Sequence, residues 1–286
     1  MNTWFLYSIA ALALFGIQRF LYKVSAEEKC NTALTTFSFM GTVALISFFF
    51  FISGKWETDS FCLLFCLALI NGLTFLTSTI STMEALKHIP TMKAMPLIRL
   101  NTAAVVILSV ILFKDRLSAF QVAGIIIAIA VIVILARQPS FAAEKEKNAA
   151  EGFGFAMLAL FSGAVAALSS KYAALYVNKL AFISMSYFLS MIFAITLRNR
   201  FQAKSEPHKN RRALLIGFSM GLANFAGFYL LLLALEKGPL SVIMPITGMY
   251  FVVVIGLSAL IYKEKIESLK VFAICLTIVS IILMGL

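Results

Sequence analysis

The chain has 286 residues, of which 61% are hydrophobic and 13% are charged. A soluble domain is about half apolar and about a quarter charged, so this composition excludes a water-soluble fold and predicts a surface that faces lipid. The net charge of +11 would suggest nucleic acid binding in a soluble protein. In a membrane protein Lys and Arg collect in cytoplasmic loops, so we expect the lipid bilayer as a partner and no nucleic acid.

Ten apolar stretches are long enough to cross a bilayer as helices. The first follows the N-terminal Met directly and lacks the pattern of a cleavable leader, so we expect it to be retained. The predicted spans are residues 4–23, 32–53, 63–86, 91–113, 118–136, 152–176, 181–197, 213–235, 239–262 and 268–286. Short polar connections join them, the longest being residues 137–151 and 198–212.

The two halves of the chain repeat each other. Residues 85–96 return without a gap as residues 234–245, and the same offset of 149 residues aligns 113–116 with 262–265. We predict a first repeat over 1–137, a loop over 138–151 and a second repeat over 152–286. Five helices per repeat is an odd number, so the second repeat enters the membrane from the opposite side. The prediction is an all-α membrane fold of two inverted five-helix repeats, with a solute site between them near the midplane.

Three residues around the fourth and fifth helices carry a family resemblance. They are a proline within helix four, an acid in the following turn and a glycine early in helix five, namely Pro96, Asp115 and Gly124. The second repeat keeps the proline and the acid and has alanine in place of the glycine: Pro245, Glu264 and Ala273. This pattern resembles the ten-helix EamA-like branch of the drug/metabolite transporter superfamily.

The resemblance implies a carrier that exports or exchanges small metabolites, with a cavity between the repeats and with helices five and ten at the periphery. The sequence supports that position independently, because residues 124–136 and 271–286 contain almost nothing polar. We therefore expect these two helices to contact lipid or a second subunit, as in a homodimer.

Charge placement predicts an orientation. Loops after odd-numbered helices hold sixteen Lys and Arg residues, and loops after even-numbered helices hold five. The positive-inside rule then puts the odd loops in the cytoplasm and both termini outside. The family is often drawn with both termini in the cytoplasm, so the two arguments differ. We expect a multi-pass protein of a bacterial inner membrane.

Three basic residues fall within spans, where a charge costs about 2.5–3.5 kcal/mol and tends to face a cavity or a partner. Arg99 lies near the middle of helix four, and Arg19 lies about 6 Å before the end of helix one. The two could share a vestibule that binds a carboxylate or phosphate. Alternatively, Arg19 snorkels to headgroups and Arg99 pairs with Glu84. Lys171 lies nearer a helix end, where snorkelling competes with substrate contact.

Glu84 is the acidic residue placed inside a span, at the end of helix three. It is a candidate for proton coupling, since a coupled carrier needs a group that titrates as the site changes access. The alternative is a salt bridge with Lys87 or Arg99.

Two prolines and several uncharged polar residues complete the candidate path. Pro96 and Pro245 occupy equivalent positions, and each is expected to kink its helix near the binding region or simply to bend it for packing. The polar candidates either bind the solute or hydrogen-bond neighbouring helices; they are Asn71, Asn101, Asn224, Tyr229, Thr247 and Tyr250.

These features predict a secondary transporter that moves a small anionic or zwitterionic solute, such as an amino acid, by alternating access and in the direction of export. A carrier of lipophilic cations is one alternative, and it would need an acidic residue in its cavity. A membrane assembly protein that transports nothing is another. No nucleophile motif or phosphate-binding glycine loop is present, so we predict no enzymatic activity, cofactor or metal.

Overall fold

A computed structural model describes residues 2–28, 30, 32–54, 60–88, 91–136, 149–196, 207–263 and 268–286. Within these residues the chain is all α-helical. The helices are α1 (Thr3–Glu27), α2 (Thr32–Ser53), α3 (Phe61–His88), α4 (Thr91–Phe113), α5 (Ala119–Ala136), α6 (Ala149–Tyr176), α7 (Lys179–Thr196), α8 (Pro207–Lys237), α9 (Leu240–Gly248), α10 (Phe251–Ile261) and α11 (Ser268–Gly285).

The helices match the ten predicted spans, with one difference. The ninth span is two helices, α9 and α10, separated by a break at Met249 and Tyr250. Pro245 lies inside α9 and has no N–H to donate. At the break, the N–H groups of Met249 and Val252 donate to carbonyls three residues earlier, which is the tighter 3₁₀ pattern. The α-helical hydrogen bonding is therefore interrupted four residues after the proline.

Six spans in the described part of the chain are long and apolar enough to cross a membrane by length and composition. They are Thr3–Tyr22, Leu34–Ser53, Phe61–Thr82, Ala150–Tyr176, Asn210–Lys237 and Leu240–Ile261. Shorter apolar helices fill the four remaining predicted spans. Large apolar side chains such as Leu45, Phe49 and Leu260 point outward, as lipid contact requires.

The main helix contacts of one repeat recur in the other. Helix α1 packs on α8 as its equivalent α6 packs on α3, and α2 packs on α8 as α7 packs on α3. Helices α2 and α7 pack on each other, as do α4 and α9, and α5 and α11. A pseudo-twofold axis therefore relates the repeats, which are inverted relative to each other.

Equivalent glycines mark the close helix contacts. A Cβ at Gly72 of α3 would lie 2.8 Å from the carbonyl oxygen of Ser186 in α7. A Cβ at its repeat equivalent, Gly221 of α8, would lie 2.5 Å from the Cβ of Thr42 in α2. Small residues let helix backbones approach closely, and in lipid such packing is a main source of helix association.

The turns after α4 and α10 also share a backbone conformation. Lys114 has φ 54° and Lys263 has φ 53°, and the two residues are equivalent in the repeats. A non-glycine residue in the left-handed region is uncommon, so its occurrence at both positions is independent structural evidence for the duplication.

Helices α5 and α11 pair with each other at the edge of the bundle. The Oγ of Ser280 in α11 donates to the carbonyl oxygen of Gly124 in α5 at 2.6 Å. The opposite faces carry exposed Ile126, Phe272 and Ile282. The resemblance implies this peripheral position for the fifth and tenth predicted helices, which are α5 and α11. Binding of a second subunit to this face stays a prediction.

Several contacts identify one face of the bundle, which we call the even-loop face because the turns after α4, α6 and α8 lie there. Trp4 near the start of α1 packs on Gly238 after α8, and Phe5 packs on Gly285 at the end of α11. Lys179 at the start of α7 forms a salt bridge with Glu236 near the end of α8, with 3.1 Å between Nζ and Oε1. The opposite, odd-loop face holds the contact between Arg212 and Glu28 at 3.2 Å.

Gly217→Ala tests whether glycine is required where α8 crosses α2. A Cβ at Gly217 would lie 2.5 Å from the carbonyl oxygen of Thr35, a backbone atom that cannot rotate away. We expect a loss of about 1–3 kcal/mol, typical of overpacking, seen as a lower melting temperature of the detergent-purified protein. Gly154→Ala is the matched control, because nothing lies within 4 Å of a Cβ there. Equal melting temperatures for the two variants would contradict the assigned contact.

Candidate functional site

A cavity of about 250 Å³ lies between the two repeats. Its walls come from α1, α3 and α4 of the first repeat and from α6, α7, α8, α9 and Tyr250 of the second. Six of the polar residues predicted for the path line it: Arg19, Asn71, Asn101, Asn224, Thr247 and Tyr250. The fold thus brings together residues that are far apart in the sequence.

The remaining candidates lie elsewhere. Tyr229 stacks on Phe225, which in turn stacks on Phe50 of α2 at 5.7 Å between ring centroids. Pro245 is buried inside α9 and is not part of the lining. The side chains of Glu84, Pro96 and Arg99 lie outside the described residues, so the structure does not report on the pairing of Glu84 with Arg99 or on a vestibule shared by Arg99 and Arg19.

Arg19 supplies the charge of the described lining. Its side chain is exposed, and it lies within the cavity. The Cζ atom is 5.5 Å from the ring centroid of Tyr22 and 5.4 Å from that of Tyr250, distances at which cation–π attraction operates. The described lining contains no Asp or Glu. The described cavity surface therefore carries one positive charge without a carboxylate beside it.

A directed chain of hydrogen bonds supports this part of the site. Tyr187 of α7 donates its hydroxyl to Oδ1 of Asn224 at 2.5 Å, and Nδ2 of Asn224 donates to Oε1 of Gln18 at 3.0 Å. The chain links α7 and α8 to α1 at Gln18, the residue directly before Arg19.

The opposite wall is built where α6 approaches α3 and α4. Nδ2 of Asn71 lies 2.9 Å from the carbonyl oxygen of Ala166. A Cβ at Gly163 would lie 2.5 Å from Nδ2 of Asn101, so glycine is what allows α6 to reach the Asn101 amide. The apolar part of the lining includes Phe75 and Phe228. The cavity thus combines amides and one guanidinium with aromatic surface.

Lys171 has a different role from those weighed from the sequence. It is only 7% exposed and does not line the cavity. Its Nζ donates to the carbonyl oxygens of Leu235 at 2.5 Å and Gly238 at 2.9 Å. These carbonyls end α8, where a cation is favourable because the last carbonyls of a helix lack intrahelical donors and carry partial negative charge. The lysine is a C-terminal cap.

Asp115 caps the next helix from the other repeat. Its Oδ2 accepts from the backbone N–H of Ser241 at 3.1 Å and from the Ser241 hydroxyl at 2.7 Å, at the start of α9. Ser109 of α4 donates to the same oxygen at 2.5 Å. A carboxylate at a helix N-terminus pairs with free N–H groups and with the positive end of the helix dipole. We call Lys171, Asp115, Ser241 and Gly238 the α8–α9 clamp.

Sequence reasoning missed several residues of the lining, chiefly Gln18, Ser78, Thr102 and Tyr187. Gln18 stands beside Arg19 within an apolar span, and that adjacency is the signal that could have found it. Tyr187 lies in the middle of α7, and only its contact with Asn224 reveals its place.

Comparisons with known proteins agree with this architecture. The model of the EamA-like transporter family matches residues 2–137 and 151–286, one match in each half of the chain. A search of curated proteins finds no match. A protein solved by crystallography is similar over 98% of this chain and 95% of its own, with a TM-score of 0.78 and 14% sequence identity. At that identity the likeness shows the fold alone.

Lys171→Met tests the capping role of the buried lysine. It leaves the carbonyls of Leu235 and Gly238 without a donor, at a cost of about 1–3 kcal/mol for each unpaired group. We expect a clear fall in melting temperature in detergent. Lys179→Met is the matched control, because a partly exposed pair such as Lys179–Glu236 contributes about 1 kcal/mol or less. If Lys171→Met melts no earlier than Lys179→Met, the cap contributes little.

Proposed function

The chain belongs to the EamA-like transporter family, and from that premise we propose that it is a secondary transporter of small organic anions or zwitterions such as amino acids. It works by alternating access and in the direction of export. The observation that carries the proposal is Arg19, a guanidinium held between two tyrosine rings in the cavity with no carboxylate in the described lining.

The chemistry of Arg19 favours an anionic group on the solute. A guanidinium presents its N–H groups as a planar fork that matches a carboxylate in two parallel hydrogen bonds. Its Cζ lies over the rings of Tyr22 and Tyr250, which cannot neutralise its charge as a carboxylate would. In a cavity of low dielectric, such a charge-assisted pair is stronger than in water.

The size and charge of the cavity disfavour the alternative of a lipophilic cation. Pockets for drug-sized ligands usually measure about 300–1,000 Å³, and this cavity of about 250 Å³ suits a small metabolite. A cation would meet Arg19 and find no carboxylate among the described lining residues.

The α8–α9 clamp supports alternating access. It closes the even-loop side of the cavity, where Leu240, Ser241 and Ile243 are fully buried. Asp115 belongs to the first repeat and Ser241 to the second, so movement of one repeat against the other breaks this contact. Inverted repeats allow the two halves to exchange conformations and so expose the cavity on the other side. The equivalent of Asp115 at the repeat offset of 149 residues is Glu264, which lies outside the described residues.

The setting of the transporter follows from the distribution of charge. We place it in a bacterial inner membrane, with the odd-numbered loops in the cytoplasm as the positive-inside rule predicts. The even-loop face, with the clamp, then faces outward. A homodimer would use the exposed surfaces of α5 and α11, which carry Phe120, Ile126 and Phe272.

Arg19→Gln tests the proposed anion site. We expect loss of counterflow of amino acids and small carboxylates in proteoliposomes, because the neutral amide cannot balance the solute's charge. Arg19→Lys keeps the charge and loses the fork, so it should retain part of the flux. Arg212→Gln is the control, since Arg212 is an exposed residue paired with Glu28 on the odd-loop face. Full flux through folded Arg19→Gln would remove Arg19 from the site.

Asp115→Ala tests the clamp as the closed gate. The reporter is Met244→Cys, at a position that lines the cavity, in a protein whose four native cysteines are replaced. Loss of the contact with Ser241 should open the even-loop side, so an impermeant maleimide added there should label the reporter faster. Arg116→Ala, in the same exposed turn, should leave the rate unchanged. Equal rates in both variants would mean that the clamp does not govern access.

A further inference from the structure

We infer that Asn71 recognises a hydrogen-bond donor on the solute, an amino or hydroxyl group, through its Oδ1 atom. The inference rests on the proposed function, since it takes the solute to be the organic anion held by Arg19. Asn71 would be a second residue that recognises the solute. The class of solutes then narrows to organic anions that also carry a hydrogen-bond donor.

The orientation of the Asn71 amide is fixed by chemistry. Its Nδ2 lies 2.9 Å from the carbonyl oxygen of Ala166 and 3.0 Å from the hydroxyls of both Ser169 and Ser170. A carbonyl oxygen only accepts, so the amide atom facing it must be the donor nitrogen. Both serines donate their own hydrogen to Ala166, at 2.9 and 2.8 Å, and so present lone pairs to Asn71. A flipped amide would set oxygen against oxygen.

The Oδ1 atom is consequently an acceptor turned away from α6. No group in the described part of the chain donates to it, although Asn71 is 5% exposed and lines the cavity. The Asn224 amide differs, because its oxygen accepts from Tyr187 and its nitrogen donates to Gln18. Oδ1 is not among the buried polar atoms that lack a partner, so it is open to the cavity that Asn71 lines. There a donor group of the solute can take the place of water.

Asn71 and Arg19 lie at different depths. Asn71 is ten residues into α3, about 15 Å from its start on the even-loop face, and Arg19 is sixteen residues into α1, about 24 Å from the same face. The two groups are therefore separated by about 9 Å in depth, measured at their backbones. Phe75, one turn after Asn71 on α3, offers apolar surface in the same cavity. The site suits an organic acid whose donor group points toward the even-loop face.

The test compares acids that share a carbon skeleton. Straight-chain carboxylic acids of three to six carbons are supplied without a substituent, with a hydroxyl group or with an amino group, and counterflow is measured in proteoliposomes. The native protein should take up a donor-bearing acid at least about tenfold faster than its unsubstituted parent at limiting concentration. The hydroxyl and amino series show which donor the site takes.

Asn71→Leu should erase this preference. Because Asn71 also bonds α6, a second variant, Asn71→Ser, removes the Oδ1 acceptor while keeping a hydroxyl donor, and it should lose the preference as well. Ser169→Ala is the matched control: it deletes one contact of Nδ2 with α6 and leaves Oδ1 in place, so the preference should persist.

Preference retained in both Asn71 variants would overturn the inference. Equal uptake of substituted and unsubstituted acids by the native protein would overturn it while leaving the proposed function intact. Failure of the folded native protein to take up any acid in the panel would overturn both.

Discussion

The structure depends on one constraint: lipid offers no hydrogen-bond partner, so each polar group inside the bundle must find one within the protein or in a cavity. Helix ends are the most demanding case, because their last carbonyls and first N–H groups have no partner in the helix. The turn between α8 and α9 meets this demand with Lys171 on the carbonyls of Leu235 and Gly238 and with Asp115 on Ser241. Because Asp115 comes from the other repeat, satisfying the backbone also joins the two halves.

The same constraint distinguishes the working groups of the cavity from its supporting ones. Tyr187, Asn224 and Gln18 bond one another and stabilise the wall. Arg19 has aromatic neighbours and no carboxylate in the described lining, and Oδ1 of Asn71 has no donor there. Both groups line the cavity, where water or a bound solute can supply their partners. An anion bearing a donor group would satisfy both.

Much of the fold could be predicted from the sequence, because the lengths of the apolar stretches and an ungapped repeat can be read directly from the order of the residues. Pro245 was likewise visible in the sequence, although the break at Met249 and Tyr250 four residues later was not. Side-chain roles were harder to predict. Lys171 looked like a snorkelling residue because its partners lie 64 and 67 residues away, and Tyr187 carried no mark of its pairing with Asn224. A sequence shows that a buried polar group needs a partner, and only the fold shows which partner it has.

The central claim is that water enters a polar cavity between the repeats, and cysteine labelling in membranes tests it most directly. Single cysteines replace Asn101 and Thr247, which line the cavity, while Val43 in the core and Ile126 on the outer face of α5 serve as controls. We predict that a small charged maleimide labels the cysteines at positions 101 and 247 and spares those at the two control positions. Protection of Asn101 and Thr247 equal to that of Val43 would show a dry interior and contradict the account.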